Sequence, residues 1–243
     1  INTSDSKLAI GCDSSTESSN FNGIIDELNI LNVVKTEFVP SEIPDVNSST
    51  AAQFKFDSGT DLEVSDSSQN NNSGIIKGSN YSWVSSKYGG AFKTNGTGYI
   101  RVEDSDSLDI TKDLRIEGWF KTEDINKDSF VVHKGNAYGL KLTDGNGFPI
   151  AQVYVDGQWR IAASTEAVQP GRWYNLGMIY SASRQELKLY VDGILKATTK
   201  LSGLSSYAIN CSSDWLAVGA SSQEEGMIFD GSIDRIRITK TAD

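Results

Sequence analysis

Across most of this chain, apolar and polar residues take turns. AQFKF, GYIRV, LRIEGWF, FVVHK, YGLKL, AQVYV, WRIAA, WYNLGMIY, ELKLYV, ILKATT, WLAVGA and SIDRIRI alternate over most of their length, and Gly, Asn and Asp separate them. Successive side chains on a strand point to opposite faces, so period two marks a half-buried strand, whereas a surface helix repeats every three to four residues. No segment carries a convincing helical period. Asp156-Gly157 and Asp192-Gly193 stand between alternating runs. Both pairs suit the two positive φ angles of a type I′ turn, so each predicts a tight hairpin. The chain is expected to be all-β, a sandwich of antiparallel strands.

A second feature is repetition. Residues 7–31 (KLAIGCDSSTESSNFNGIIDELNIL) align without a gap to residues 215–239 (WLAVGASSQEEGMIFDGSIDRIRIT). Leu8/Leu216, Gly11/Gly219, Phe21/Phe229, Gly23/Gly231 and Asp26/Asp234 are among the identical pairs. A duplicated structural unit leaves this kind of trace. The expected organisation is therefore the last strands of a preceding copy over 1–36, a linker over 37–50, and one complete domain over 51–243. Two prolines and a polar end give the linker its composition. Exposed strand edges in such a half-copy call for completion by another segment or a neighbouring repeat.

Composition narrows the partners. The net charge of −10 and pI near 4.7 argue against nucleic acid or an anionic membrane surface. No apolar run approaches the roughly 20 residues that span a bilayer, so no membrane insertion is expected. Cys12 and Cys211 fall at different positions of the repeat and read as two separate thiols, although a bridge between them stays open.

The order FKFDSG, DSSQNNNSG, KYGGAFKTNGTGYIRVEDSDSLDIT, LRIEGWFKT, GRWYNLGMIYSASRQELKLYVDG, FDGSIDRIRI resembles the laminin-G-like jelly roll of the concanavalin A-like lectin superfamily. The likeness covers essentially all of 51–243. It implies two antiparallel sheets packed face to face, an extracellular or cell-surface setting, and a non-catalytic recognition role. The superfamily also holds glucanases, which carry alternate carboxylates (Glu-x-Asp-x-Glu) on one strand. Here IIDELNI and SIDRIRI lack the first glutamate, and His133 has no nearby Ser or Cys in the sequence to suggest a triad. The chain is not expected to be an enzyme.

The resemblance places Asp57 on the first strand and Asp234 on the last, as neighbours. With Asp66 and Asn70 from the adjoining loop they form the expected ligands of a structural Ca²⁺, which takes six to eight oxygens. Aspartate is depleted in strands, and both Asp234 and its repeat mate Asp26 break that rule, which suggests a task for the position. The acidic run Glu103, Asp104, Asp106, Asp109 lacks the spacing of a calcium loop and reads as a solvated turn. For a ligand, aromatic rings stack on pyranose faces while amides bond the hydroxyls. Trp159, just past the Asp156-Gly157 turn, gains little core burial and is the first candidate, with Tyr154, Asn136 and Tyr138 around it. Trp119 and Trp173 read as buried rings, Trp83 as packing under a loop, and Trp215 as partly exposed. The expected partner is a carbohydrate or a surface protein. The alternative is a structural or adhesive repeat without a small ligand.

Overall fold

The computed structural model describes residues 46–57, 62–143, 145–223 and 227–241. The chain divides into compact units at 1–36 and 37–243, and every described residue belongs to the second. The repeat copy at 7–31, the linker up to residue 45 and Cys12 lie outside the described residues. Among the described residues there are only strands and no helix.

The strands are β1 (Thr50–Phe54), β2 (Glu63–Val64), β3 (Gly74–Lys77), β4 (Tyr81–Ser86), β5 (Gly89–Asn95), β6 (Tyr99–Val102), β7 (Leu114–Thr122), β8 (Ser129–Lys134), β9 (Tyr138–Leu142), β10 (Pro149–Val155), β11 (Gln158–Ala163), β12 (Tyr174–Ser181), β13 (Glu186–Val191), β14 (Ile194–Lys200), β15 (Leu216–Val218) and β16 (Asp230–Thr239). They form two antiparallel 8-stranded sheets. The first runs β14-β13-β12-β7-β16-β5-β4, with β1 also on β16; the second runs β11-β10-β9-β8-β15-β6-β3-β2. This is the antiparallel sandwich that the alternation predicts, in the jelly-roll form that the resemblance implies. β5 pairs with the first half of β16 and β1 with the second half, so the two share one edge of the last strand.

Inward positions supply the core. Phe54, Phe92, Ile116, Phe120, Ile233, Ile236 and Ile238 from the first sheet face Ile100, Val132, Leu140, Leu142, Val153, Val155 and Val218 from the second. Burying each such side chain is worth roughly 1.5–3 kcal/mol. Both Asp-Gly hairpins form, with Asp156 at φ 53°, Gly157 at 75°, Asp192 at 51° and Gly193 at 75°. NYSWVSSKYGG, which reads as a loop, instead supplies β4 at the edge of the first sheet. Its Trp83 packs edge-on against Phe92 at 5.8 Å. Serines hide an edge strand because pairing on one side asks little of the side chains.

The acidic turn is also different from the expectation. Lys134 is wholly buried, and its ammonium donates to Asp104 Oδ1 at 2.6 Å and to the Ser212 carbonyl at 2.5 Å, with Asp109 Oδ1 at 3.3 Å. The turn after β6 is therefore tied to β8 by a buried cation. Sequence could not show this, because Lys134 ends an ordinary alternating strand.

Candidate functional site

The outer face of the second sheet carries a row set by strand register: Ile75, Arg101, Ala217, His133, Gly139, Gln152 and Ile161, from β3, β6, β15, β8, β9, β10 and β11 in turn. Ala217 and Gly139 put the smallest side chains at the middle of the row. A Cβ on Gly139 would meet the Val132 carbonyl oxygen at 3.0 Å, His133 Cδ2 at 3.1 Å and Phe130 Cε1 at 3.3 Å. Glycine thus lets two rings lie down over β9, and the row makes the floor of a trough that is concave at its Tyr99–Trp215 end and has aromatic residues at both ends.

At one end Tyr99 and Trp215 stack with centroids 5.6 Å apart, and the Arg101 guanidinium lies 5.3 Å over the Trp215 ring. These residues, with Gly78, Thr97 and the 220–223 segment, line a cavity of about 480 Å³. Arg101 is oriented by Glu103 at 2.9 Å. At the other end Trp159 meets Tyr154 edge-on at 5.4 Å, and Tyr154 donates its hydroxyl to the Gly157 carbonyl at 2.7 Å.

His133 joins the two ends. Its ring lies 4.1 Å from Phe130 and 6.0 Å from Trp159, and it is buried. The Ser222 backbone N–H donates to His133 Nδ1 at 3.0 Å, and the Ser222 hydroxyl lies 3.1 Å from the same nitrogen. Ser222 Oγ also accepts from the Gly135 N–H at 2.6 Å. Burial lowers the His133 pKa to about 4, against a smaller opposing pull from Asp214. The imidazole is neutral at pH 7, and with Nδ1 accepting, the proton sits on Nε2. Sequence missed this pair because Ser222 and His133 are far apart along the chain. Ser222 is buried, and the loop that carries it clamps His133.

Of the four ligand candidates, Trp159 and Tyr154 share one end of the trough. Asn136 is exposed near them, its carbonyl accepting from Asn210 Nδ2 at 2.9 Å. Tyr138 is a correction: it points into the core, fully buried, and donates to the Leu108 carbonyl at 2.9 Å. Alternation alone could not tell which sheet face it takes. The residues not singled out as ligand candidates are Tyr99, Arg101, Trp215, His133 and Gln152. The outward phase of GYIRV marks Tyr99 and Arg101, but only register brings them to Trp215.

The four metal candidates do not converge. Asp66 Oδ1 accepts from the N–H groups of Gln53 (2.9 Å) and Ser68 (2.8 Å), and Oδ2 from Asn72 N–H (2.8 Å) and the Ser68 hydroxyl (2.5 Å). Asn70 donates through Nδ2 to the carbonyls of Thr50 (2.8 Å) and Ala51 (3.1 Å). These two fasten their loop to β1. Asp57, exposed beyond β1, pairs with Arg235 at 3.4 Å and accepts from Gly90 N–H at 3.2 Å. Asp234 is fully buried, with Ser86 Oγ donating to Oδ2 at 2.6 Å. Among the described residues no three His, Cys, Asp or Glu side chains are grouped to hold an ion. Asp66, with both oxygens already filled by N–H and hydroxyl donors, does not fit a calcium ion that wants six or more oxygens.

The family model described as the concanavalin A-like lectin/glucanases superfamily matches residues 94–242. Among solved structures, the chain is similar to domain 4 of AbnA, a GH43 extracellular arabinanase from Geobacillus stearothermophilus in complex with arabinotriose. The TM-score is 0.61 at 22% identity, covering 80% of this chain and 93% of that one. It is similar to the binding domain of Paraclostridial Mosquitocidal Protein 1 (TM-score 0.60, 13% identity, 80% of this chain and 49% of that one). The CBM40 of the Ruminococcus gnavus IT-sialidase, bound to α2,3-sialyllactose, gives TM-score 0.51 at 17% identity over 70% of this chain and 93% of that one. At these identities the likeness is one of fold. No curated protein matches the chain.

Proposed function

This chain belongs to the concanavalin A-like lectin/glucanases superfamily, and from that premise we propose that it is a non-catalytic carbohydrate-binding module of a secreted or cell-surface protein. The observation that carries the reading is the trough on the second sheet. Stacked Tyr99 and Trp215 at one end and Trp159 at the other offer ring surfaces for pyranose faces. Beside the first pair, Arg101 is placed for sugar hydroxyls, while His133 and Gln152 are buried in the floor between the two ends. A concave lining in which ring faces stand beside placed polar groups suits a small-molecule site. The sugar complexes of the AbnA domain and the CBM40 support the ligand class.

A glycan and polysaccharide array, run with calcium and with EDTA, tests it. Binding that Trp215→Ala and Trp159→Ala each weaken about tenfold supports the trough, since tenfold is about 1.4 kcal/mol, within the worth of one aromatic contact. A second reading, a spacing or adhesive repeat, draws on the gap-free copy at 7–31. No binding to any glycan, with self-association of the chain, favours that reading instead.

A further inference from the structure

The other sheet has a site of different chemistry on its outer face. The run Ile233-Asp234-Arg235-Ile236 breaks period two, and β16 answers with a bulge between Asp234 and Arg237 in which Arg235 takes φ 52°. The extra residue keeps both charged side chains outside the core while Ile233 and Ile236 stay in it. Asp234 then lies opposite Trp119 in register. It is fully buried, Ser86 holds Oδ2, and Oδ1 has no hydrogen-bond partner.

A cavity of about 110 Å³ opens against this carboxylate, lined by Ser86, Lys87, Tyr88, Trp119, Trp173 and Asp234. The Tyr88 and Trp119 rings meet at 51° with centroids 5.5 Å apart, which makes a corner of two π surfaces. These rings already attract cations from their surroundings: Lys87 Nζ lies 5.3 Å and the Arg235 guanidinium 5.8 Å from the Tyr88 centroid, and Lys121 Nζ lies 5.7 Å from that of Trp173. Arg235 is committed to Asp57 and the Tyr88 carbonyl, and Lys121 to Glu123 at 4.0 Å.

The neighbouring Arg235 charge favours the ionised carboxylate, but its guanidinium is engaged by Asp57 and the Tyr88 carbonyl, so a buried anion with an open oxygen calls for a further positive partner. The walls decide which kind. A hard metal ion needs several oxygens, whereas ring faces favour a large, weakly hydrated cation. We propose that Tyr88, Trp119 and Trp173 form an aromatic cage for a small alkylated ammonium ion, with Asp234 as its counter-ion. The site lies on the opposite sheet from the trough and stands independently of the carbohydrate reading.

The experiment is a titration of the whole chain with choline chloride at constant ionic strength, followed by tryptophan fluorescence and by the indole N–H resonances. The expected result is saturable binding in the millimolar range that shifts the Trp119 and Trp173 indole signals and leaves that of Trp159 in place. The uncharged carbon isostere of choline should bind at least about tenfold more weakly, as should choline to Asp234→Asn and to Trp173→Leu. The indole shifts of the unmodified protein keep the test valid even where a variant misfolds. Choline binding no tighter than that of the isostere, the absence of saturation, or calcium shifting the same indoles when choline does not would each overturn the proposal.

Discussion

The backbone N–H of Ser222 donates to Nδ1 of His133 across a 3.0 Å gap, and this one bond fixes both the 220–223 segment and the tautomer of the only histidine in the chain. A ring that accepts at Nδ1 cannot be protonated there without breaking the contact. His133 therefore links the shape of the trough to pH.

That link has a definite sign. The His133 pKa falls from 6.5 to about 4 on folding, so the folded protein binds fewer protons than the unfolded chain between those values. Stability then rises with pH through this window and is lost as pH falls below 6.5. The contribution is of order 3 kcal/mol when complete. Denaturant titrations from pH 4 to pH 7 should show the rise, and His133→Gln should flatten it. An unchanged slope in the variant would remove His133 as its source.

Asp234 acts in the opposite direction. Burial raises its pKa from 3.8 to about 6, partly offset by the Ser86 hydrogen bond. Here the folded state holds the extra proton, so this group's contribution falls as pH rises through the window from 3.8 to 6. Asp234→Asn, which keeps an oxygen for the Ser86 hydroxyl, should be more stable than the parent at pH 7 by about 1–3 kcal/mol, and equal to it near pH 4. A loss of stability at pH 7 would mean that the ionised carboxylate is compensated in the fold.

The loop anchored by Asp66 gives a calcium-free expectation. Two backbone N–H groups bond Oδ1, and a third N–H with a hydroxyl bonds Oδ2, so the carboxylate already has the donors it needs. EDTA should leave the melting temperature unchanged. Asp66→Ala should cost about 2–3 kcal/mol with or without calcium, because it orphans N–H groups of Gln53, Ser68 and Asn72. A melting temperature that drops in EDTA and recovers with calcium would restore the metal site.

Lys134 offers a different kind of stability test. Its ammonium has no exposure, while Asp104 and Asp109 keep side-chain exposures of 33% and 26%. Lys134→Met leaves those carboxylates partly able to rehydrate, but it strands the carbonyls of Ser212 and Asp214. The expected cost is about 2–4 kcal/mol, below that of breaking a fully buried pair. Chemical denaturation of the variant measures it, and a change under about 1 kcal/mol would show that the turn holds without its cation.

Much of this fold is written in period two, and both Asp-Gly hairpins could be read residue by residue. The site was less legible, for reasons of geometry. Tyr138 and Tyr154 look alike in sequence, each in an alternating strand near a turn. Which sheet face each occupies follows from strand register across β8, β9 and β10, and no local pattern encodes it. Trp215 stood out as partly exposed, yet its stacking on Tyr99 depends on β15 pairing with β6. Asp66 is hard to read for a related reason. A carboxylate that collects backbone N–H groups and one that collects a metal ion look the same until the loop is folded.

The two tyrosines and Trp215 can be set against each other in one experiment. Tyr138→Phe removes a buried hydroxyl and leaves the Leu108 carbonyl without that donor. It should lower stability by about 1–2 kcal/mol and leave glycan affinity unchanged. Trp215→Ala removes a half-buried ring whose partners are Tyr99 and Arg101 on the trough surface. Its stability should fall by less than about 1 kcal/mol while affinity drops at least about tenfold. Tyr154→Phe should stand between them: it frees the Gly157 carbonyl at an exposed turn, and affinity changes only if that hydroxyl reaches the sugar. Paired melting curves and binding isotherms for the three variants separate core from site. Affinity lost in Tyr138→Phe but kept in Trp215→Ala would move the ligand off this face.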